Sequence, residues 1–103
     1  MPKCVLAYHG GSMPETKEEQ AEVMQEWGAW MGGLGDALVD PGNPVGQSST
    51  VTSGAVTADG GANPLSGYSL LNAGSQEEAI KAAQGCPILQ RGGSIEVAEA
   101  IEM

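Results

Sequence analysis

The 103-residue sequence predicts one α+β domain over residues 1–103, an antiparallel sheet with two helices on one face. Three observations lead there. Two segments open with helix-start signals of the S/T-x-x-E kind, Thr16 to Glu19 and Ser75 to Glu78. Both lie between short apolar runs that read as strands, and the junctions are dense in Gly, Pro, Asn and Asp.

In chain order, Lys3-Cys4-Val5-Leu6-Ala7-Tyr8 reads as a first strand. Its apolar residues do not alternate cleanly, which points to a central position. It ends at His9-Gly10-Gly11, where two glycines free the backbone to turn. A long helix follows, from about Glu15 to Leu34, with Glu15, Glu18, Glu19 and Glu22 at the end that favours negative charge. Met24, Trp27, Met31 and Leu34, extending to Leu38, follow 3–4 spacing, with Val23 and Trp30 widening the face. Gly28, Gly32 and Gly33 lower helix propensity but let another element come close. Asp36-Ala37-Leu38-Val39 is a short extended exit, and Asp40-Pro41-Gly42-Asn43-Pro44 places Pro then Gly as a type II turn requires.

Residues 47–58 are rich in Ser, Thr and Val and read as a strand. Residues 59–64 form a hairpin-like connection into the next strand. Residues 67–87 are the most legible stretch. Tyr68-Ser69-Leu70-Leu71 is a short apolar strand; Ser75-Gln76-Glu77-Glu78 is a capping box; Ala79, Ile80, Ala82 and Ala83 make a small face for packing on a sheet. Gly85 in the left-handed conformation and Pro87 end that helix. Residues 88–93 read as a loop. Residues 94–101 are the last strand, with Ile95 and Val97 on one face and Glu96 on the other.

The resulting order, β-α-(short β)-β-β-α-β, matches the ferredoxin-like split βαβ arrangement, which leaves one sheet face open. Eighteen residues are Val, Leu, Ile or Phe, about 17% of the chain, so the core is thin. A half-apolar open face on a thin-cored domain predicts a second copy packed against it by two-fold symmetry.

The formal charge of −9, with four basic residues against thirteen acidic ones, leaves no basic stripe. Nucleic-acid and anionic-membrane partners are therefore not expected. The N-terminus, beginning Met1-Pro2-Lys3, is too short in apolar residues for a secretory signal, and no run reaches a membrane helix. Cys4 and Cys86 lack metal-type spacing and read as ordinary buried thiols of a reduced, cytoplasmic protein. No cofactor is expected. One histidine among scattered carboxylates does not make a metal-ligand set.

Gly67-Tyr68-Ser69-Leu70-Leu71-Asn72-Ala73, Ser75-Gln76-Glu77-Glu78-Ala79, Cys86-Pro87 and Gly93-Ser94-Ile95-Glu96-Val97 together resemble the YCII-related (DGPF-type) proteins. The aromatic long helix, the Leu34-Gly35-Asp36 exit and the Asp40-Pro41-Gly42 turn fit the same resemblance. It implies a dimeric α+β barrel of ferredoxin-like subunits with a cleft between the sheet and the first helix. Most of that family has no assigned activity, a few relatives act on small organic molecules, and a histidine–aspartate pair is proposed as reactive in its compact members. This chain departs from the pattern. Trp27 stands about where those members carry the histidine, and Asp59-Gly60 continues as Gly61-Ala62 in a chain without phenylalanine. The reactive pair is not carried over.

Two functional expectations follow. One is a small-molecule-binding homodimer with an apolar cleft lined by Trp27, Met31 and Tyr68. The other is an enzyme acting on a small carbonyl or aromatic compound. There His9, the only histidine and set at a strand end, serves as general acid or base. Asp36 orients it, with Asp59 a weaker substitute.

Overall fold

The computed structural model describes residues 3–11 and 14–101. The expectation about Met1 and Pro2 lies outside them. The first strand, β1, runs Lys3–His9, one residue further than expected. The long helix α1 spans Lys17–Leu34, and its start shows why the Thr16–Glu19 spacing matters. Thr16 Oγ1 accepts from the Glu19 amide at 3.0 Å, while the Glu19 carboxylate accepts from the Glu15 amide at 3.0 Å. A 3₁₀ turn over Gly35–Ala37 then leads into the short strand β2, Leu38–Asp40.

The Ser/Thr/Val-rich stretch is not one strand. It folds on itself as a hairpin of β3, Thr50–Val51, and β4, Val56–Thr57, with Val51 and Val56 paired and more than 70% exposed. Gly54 and Ser53 break the run, and no apolar partner covers it. The connection over residues 59–64 is a loop and not a hairpin. Strand β5 extends over Leu65–Asn72, longer at both ends than its apolar centre.

Helix α2, Gln76–Ala83, is capped by Ser75, whose Oγ accepts from the Glu78 amide at 3.3 Å. The Glu78 carboxylate reaches past Ser75 to the Gly74 amide at 2.8 Å. Gly85 is not among the residues of positive φ. The helix ends instead by tightening, with Gly85 and Cys86 amides donating to Ala82 and Ala83 carbonyls. What residues 88–93 form is mainly a 3₁₀ turn, Pro87–Arg91, closed by Gly92 at φ 80°. The last strand, β6, is Ser94–Glu99.

The four longer strands form one antiparallel sheet in the order β2-β5-β1-β6. Alternation then assigns faces. Cys4, Leu6 and Tyr8 of β1 line up with Leu71, Ser69 and Gly67 of β5 and with Glu99, Val97 and Ile95 of β6. Both helices cover this face. Leu6, Tyr8, Leu71, Ala83, Cys86 and Ile88 form the core, with Trp27, Trp30 and Leu34 of α1 packed against it. Trp30 Nε1 donates to the Ala82 carbonyl at 2.9 Å and so ties α1 to α2. The tyrosine hydroxyl of Tyr8 donates to Ser69 Oγ at 2.7 Å, and Ser69 donates on to the Pro41 carbonyl at 2.7 Å. This buried relay fastens the turn after β2 to the sheet.

The other face carries Val5 opposite Leu70 and Ala7 opposite Tyr68, with Ala98 beside Val5. Among the described residues no helix packs there. The molecule is a slab of 44 × 43 × 18 Å, one sheet and one helix layer thick. Its radius of gyration is 14.7 Å, against roughly 13 Å for a compact chain of about 100 residues. Helix α1 has no fully buried residue, and Met24, expected on its packed face, is 69% exposed. The packed stripe is Val23, Trp27, Trp30, Met31 and Leu34, turned one position away from Met24.

Candidate functional site

His9 ends β1 on the open side of the sheet. The register between β1 and β5 slips here: Tyr8 faces Gly67 but His9 faces Leu65, so Ser66 is an extra residue on β5. Such a bulge re-aims the side chains around it. The loop before β5 consequently folds back over the ring. His9 Nδ1 lies 2.9 Å from the Asn63 carbonyl and 3.3 Å from that of Pro64, so Nδ1 carries a proton and donates. On the other side, Nε2 is 2.8 Å from Glu96 Oε1. That oxygen makes a charge contact and not an aligned hydrogen bond, because Nε2 has no hydrogen-bond partner in the line of its N–H. The His9 side chain is only 11% exposed, that of Glu96 75%, and an ion pair so open to water contributes at most about 1 kcal/mol.

The carboxylate that meets His9 is therefore Glu96, and not the expected Asp36 or Asp59. Asp36 sits in the turn before β2, whose Leu38 faces Leu71, itself opposite Cys4. That is the far end of the sheet from His9. Asp59 is at the His9 end, but its Oδ1 accepts from the Gly61 amide at 3.0 Å. Glu96 is legible in part: alternation puts it on the face opposite Ile95 and Val97. Its nearness to His9 depends on β6 pairing with β1, which no local signal announces.

Trp27, Met31 and Tyr68 do not line one cleft. The Trp27 ring packs edge-on against Tyr8 at 5.3 Å and against Trp30 at 5.7 Å, a core cluster on the helix side. Met31 is on the same helix, half-buried. Tyr68 stands on the opposite sheet face, opposite Ala7. The parity of the β5 register separates them.

Cavities among the described residues lie elsewhere. One of about 320 Å³ lies on the helix side, lined by Ile80, Ala83, Gln84, Leu89, Ile95 and Val97. The other, a cleft of about 470 Å³, is at the His9 end, walled by Gly10 and by residues 45–48, 59–61 and 64–66. Its walls are held by long-range contacts. The Val45 amide donates to the Ser66 carbonyl at 3.0 Å, Gln47 Nε2 to the Ala58 carbonyl at 2.8 Å, and Thr50 Oγ1 to the Asp59 carbonyl at 2.7 Å. His9 fastens the 63–64 part of the same wall. It braces the cleft without lining it.

Cys4 and Cys86 are both buried and unpaired. Burial pushes the Cys86 thiol up to about 11, against the opposing Ile88 amide. The Cys4 thiol is raised by burial and then by the charge of Glu99. Tyr8 is raised to about 12, chiefly by burial, with the Ser69 contact opposing and Cys86 adding. Thiolates are the reactive form, so neither cysteine is a nucleophile near neutral pH. The sign for stability follows. The folded state holds these protons more tightly than the unfolded chain, so their contribution is complete below pH 9 and is lost as pH climbs through about 11. In denaturation series from pH 8 upward, stability is expected to fall above pH 9. A thiol reagent at pH 8 is expected to react fast only after unfolding, and rapid labelling of folded protein would contradict the buried assignment.

Among the described residues no group of three or more His, Cys, Asp and Glu side chains is placed to hold a metal ion. No helix among them is long and apolar enough to cross a membrane. Compared with known proteins, the chain matches no protein-family model and no curated protein.

Proposed function

We propose that this chain is a small-molecule-binding homodimer of the YCII-related type, its ferredoxin-like subunits joined through the open sheet face into a dimeric α+β barrel. The strand order β2-β5-β1-β6 with antiparallel neighbours supports the subunit assignment, with β3 and β4 as an insertion. The resemblance of residues 67–87 and 93–97 supports the family. Two unpaired buried thiols are in keeping with a reducing, cytoplasmic setting.

The open face itself carries the proposal. Its centre is Val5, Ala7, Tyr68, Leu70 and Ala98, and its margin holds Lys3, Asp40 and Glu96. An apolar centre inside a charged rim is the pattern of a protein interface. A two-fold axis through the Val5–Leu70 and Ala7–Tyr68 pairs would set like residues against each other, and would supply the layer that the 18 Å slab lacks.

Binding is preferred to catalysis by His9 because its Nδ1 is held by the Asn63 carbonyl and the ring lines neither cavity. A general acid or base needs one nitrogen turned to substrate. Sedimentation equilibrium at micromolar concentration tests the dimer. The wild type is expected at twice the chain mass, and Tyr68→Asp, with unchanged circular dichroism, at the chain mass. A monomeric wild type overturns the reading.

A further inference from the structure

Resting on the small-molecule reading, we propose that the ligand site is the cleft between Gly10, residues 45–48, 59–61 and 64–66, and that it takes a small neutral molecule with a hydroxyl or carbonyl edge and a short apolar body. The volume of about 470 Å³ suits such a molecule. The lining is two-sided in character. Val45, Pro64 and Leu65 supply apolar surface, while Ser48 and Ser66 supply hydroxyls.

Those two hydroxyls are the reason to place a ligand here. Among the described residues, neither Ser48 Oγ nor Ser66 Oγ has a hydrogen-bond partner, although both are shut away from solvent in the cleft wall. Burying a hydroxyl unpaired is unfavourable, and structures rarely keep one without use. Nothing holds either oxygen where it is. A χ1 rotation that brought either hydroxyl to the cleft would sacrifice no bond. Each would then offer one donor and two acceptor positions, which is what a ligand hydroxyl or carbonyl needs.

Charge narrows the class. Asp59 is in the lining, Glu96 stands beside His9, and the chain carries −9 overall, so an anion is repelled. The Asp59 carboxylate is engaged by the Gly61 amide, so a cation is not demanded either. No aromatic ring lines the cleft, which removes the stacking surface that flat heteroaromatic ligands use.

The test is a thermal-shift screen of dialysed protein with neutral diols, hydroxyketones and lactones of four to eight carbons. Each is paired with the carboxylate and the amine of the same skeleton. At least one neutral compound is expected to raise the melting temperature by several degrees, and its charged twins less. Ser48→Ala and Ser66→Ala are expected to leave the ligand-free melting temperature unchanged or higher, since each removes an unpaired hydroxyl, and each to weaken binding about tenfold. Amide shift changes on titration should fall in residues 45–48, 59–61 and 64–66. The proposal fails if no neutral compound binds, if a charged twin binds better, or if the shift persists in the double variant. Sedimentation in parallel separates the two readings. A dimer without ligand shifts overturns the site alone, and a monomer with them overturns the dimer alone.

Discussion

Gly42→Ala is expected to be among the most damaging substitutions in the chain. A Cβ at Gly42 would lie 1.8 Å from the Tyr68 carbonyl oxygen and 2.7 Å from its carbon, so backbone has to move. Gly42 also has φ 70°, a region costing other residues about 1–2 kcal/mol. Pushing the turn off β5 breaks the Ser69–Pro41 hydrogen bond at 2.7 Å and the Gly42 amide bond to Asp40 Oδ1 at 2.8 Å. It also leaves the buried relay from Tyr8 without its terminal acceptor. Together these amount to roughly 3–5 kcal/mol, a large part of the 5–15 kcal/mol of a typical domain. Gly61→Ala separates the two causes. Gly61 has φ 86° but nothing within 4 Å of an added Cβ, so only the backbone term of about 1 kcal/mol applies. Urea denaturation should show Gly42→Ala shifting the midpoint several times as far as Gly61→Ala. Equal shifts would mean that the Tyr68 contact is not what requires glycine at position 42.

The parts of this fold that could be read from sequence are those specified within a few residues. Thr16 and Ser75 cap helices because the accepting oxygen and the donating amide are three residues apart. The Pro41-Gly42 turn is legible for the same reason, since the positive φ it needs falls on the glycine. Residues 47–58 read as one strand because Thr and Val favour extended backbone whether or not anything covers them, but only Thr50–Val51 and Val56–Thr57 are extended and paired, and Val51 and Val56 face solvent. Gly85 was given a left-handed role that the backbone does not use. The nearby Trp30 ring, 3.3 Å from where a Cβ would stand, is the constraint that keeps the position small.

The site was less legible than the fold because every part of it depends on register. His9 could be picked out as the lone histidine at a strand end. Its acidic neighbour needed the pairing of β1 with β6, and the wall over it needed the extra residue at Ser66. A single step of parity in β5 is also what puts Tyr68 on the face opposite Trp27. Alternation along one strand says which residues share a face. It does not say which face of one strand adjoins which face of another.

That same parity makes Leu6 and Val5 a sensitive pair for mutation. Leu6 has no exposed surface and sits at the centre of the core among Tyr8, Leu71 and Cys86. Truncation to alanine removes buried apolar area and leaves a cavity, at a cost of about 2–5 kcal/mol. A core with so few fully buried large side chains has little around it to collapse into the gap. The upper half of that range is expected, a fall in melting temperature of roughly 15–40 °C for a domain of this size. Val5, one residue earlier, points to the open face and touches none of that core. In an isolated chain Val5→Ala costs on the order of 1 kcal/mol. Under the dimer proposal its effect is coupled to association. Wild-type stability rises with protein concentration, and a weakened interface loses part of that rise. Denaturation at low-micromolar and at hundred-fold higher concentration is therefore expected to give a larger Val5→Ala penalty at the higher one. The Leu6→Ala penalty should stay nearly constant. If the Val5→Ala penalty does not change with concentration, the face bearing Val5, Ala7, Tyr68 and Leu70 is solvated in solution. The thin core would then have to be stable without a second copy.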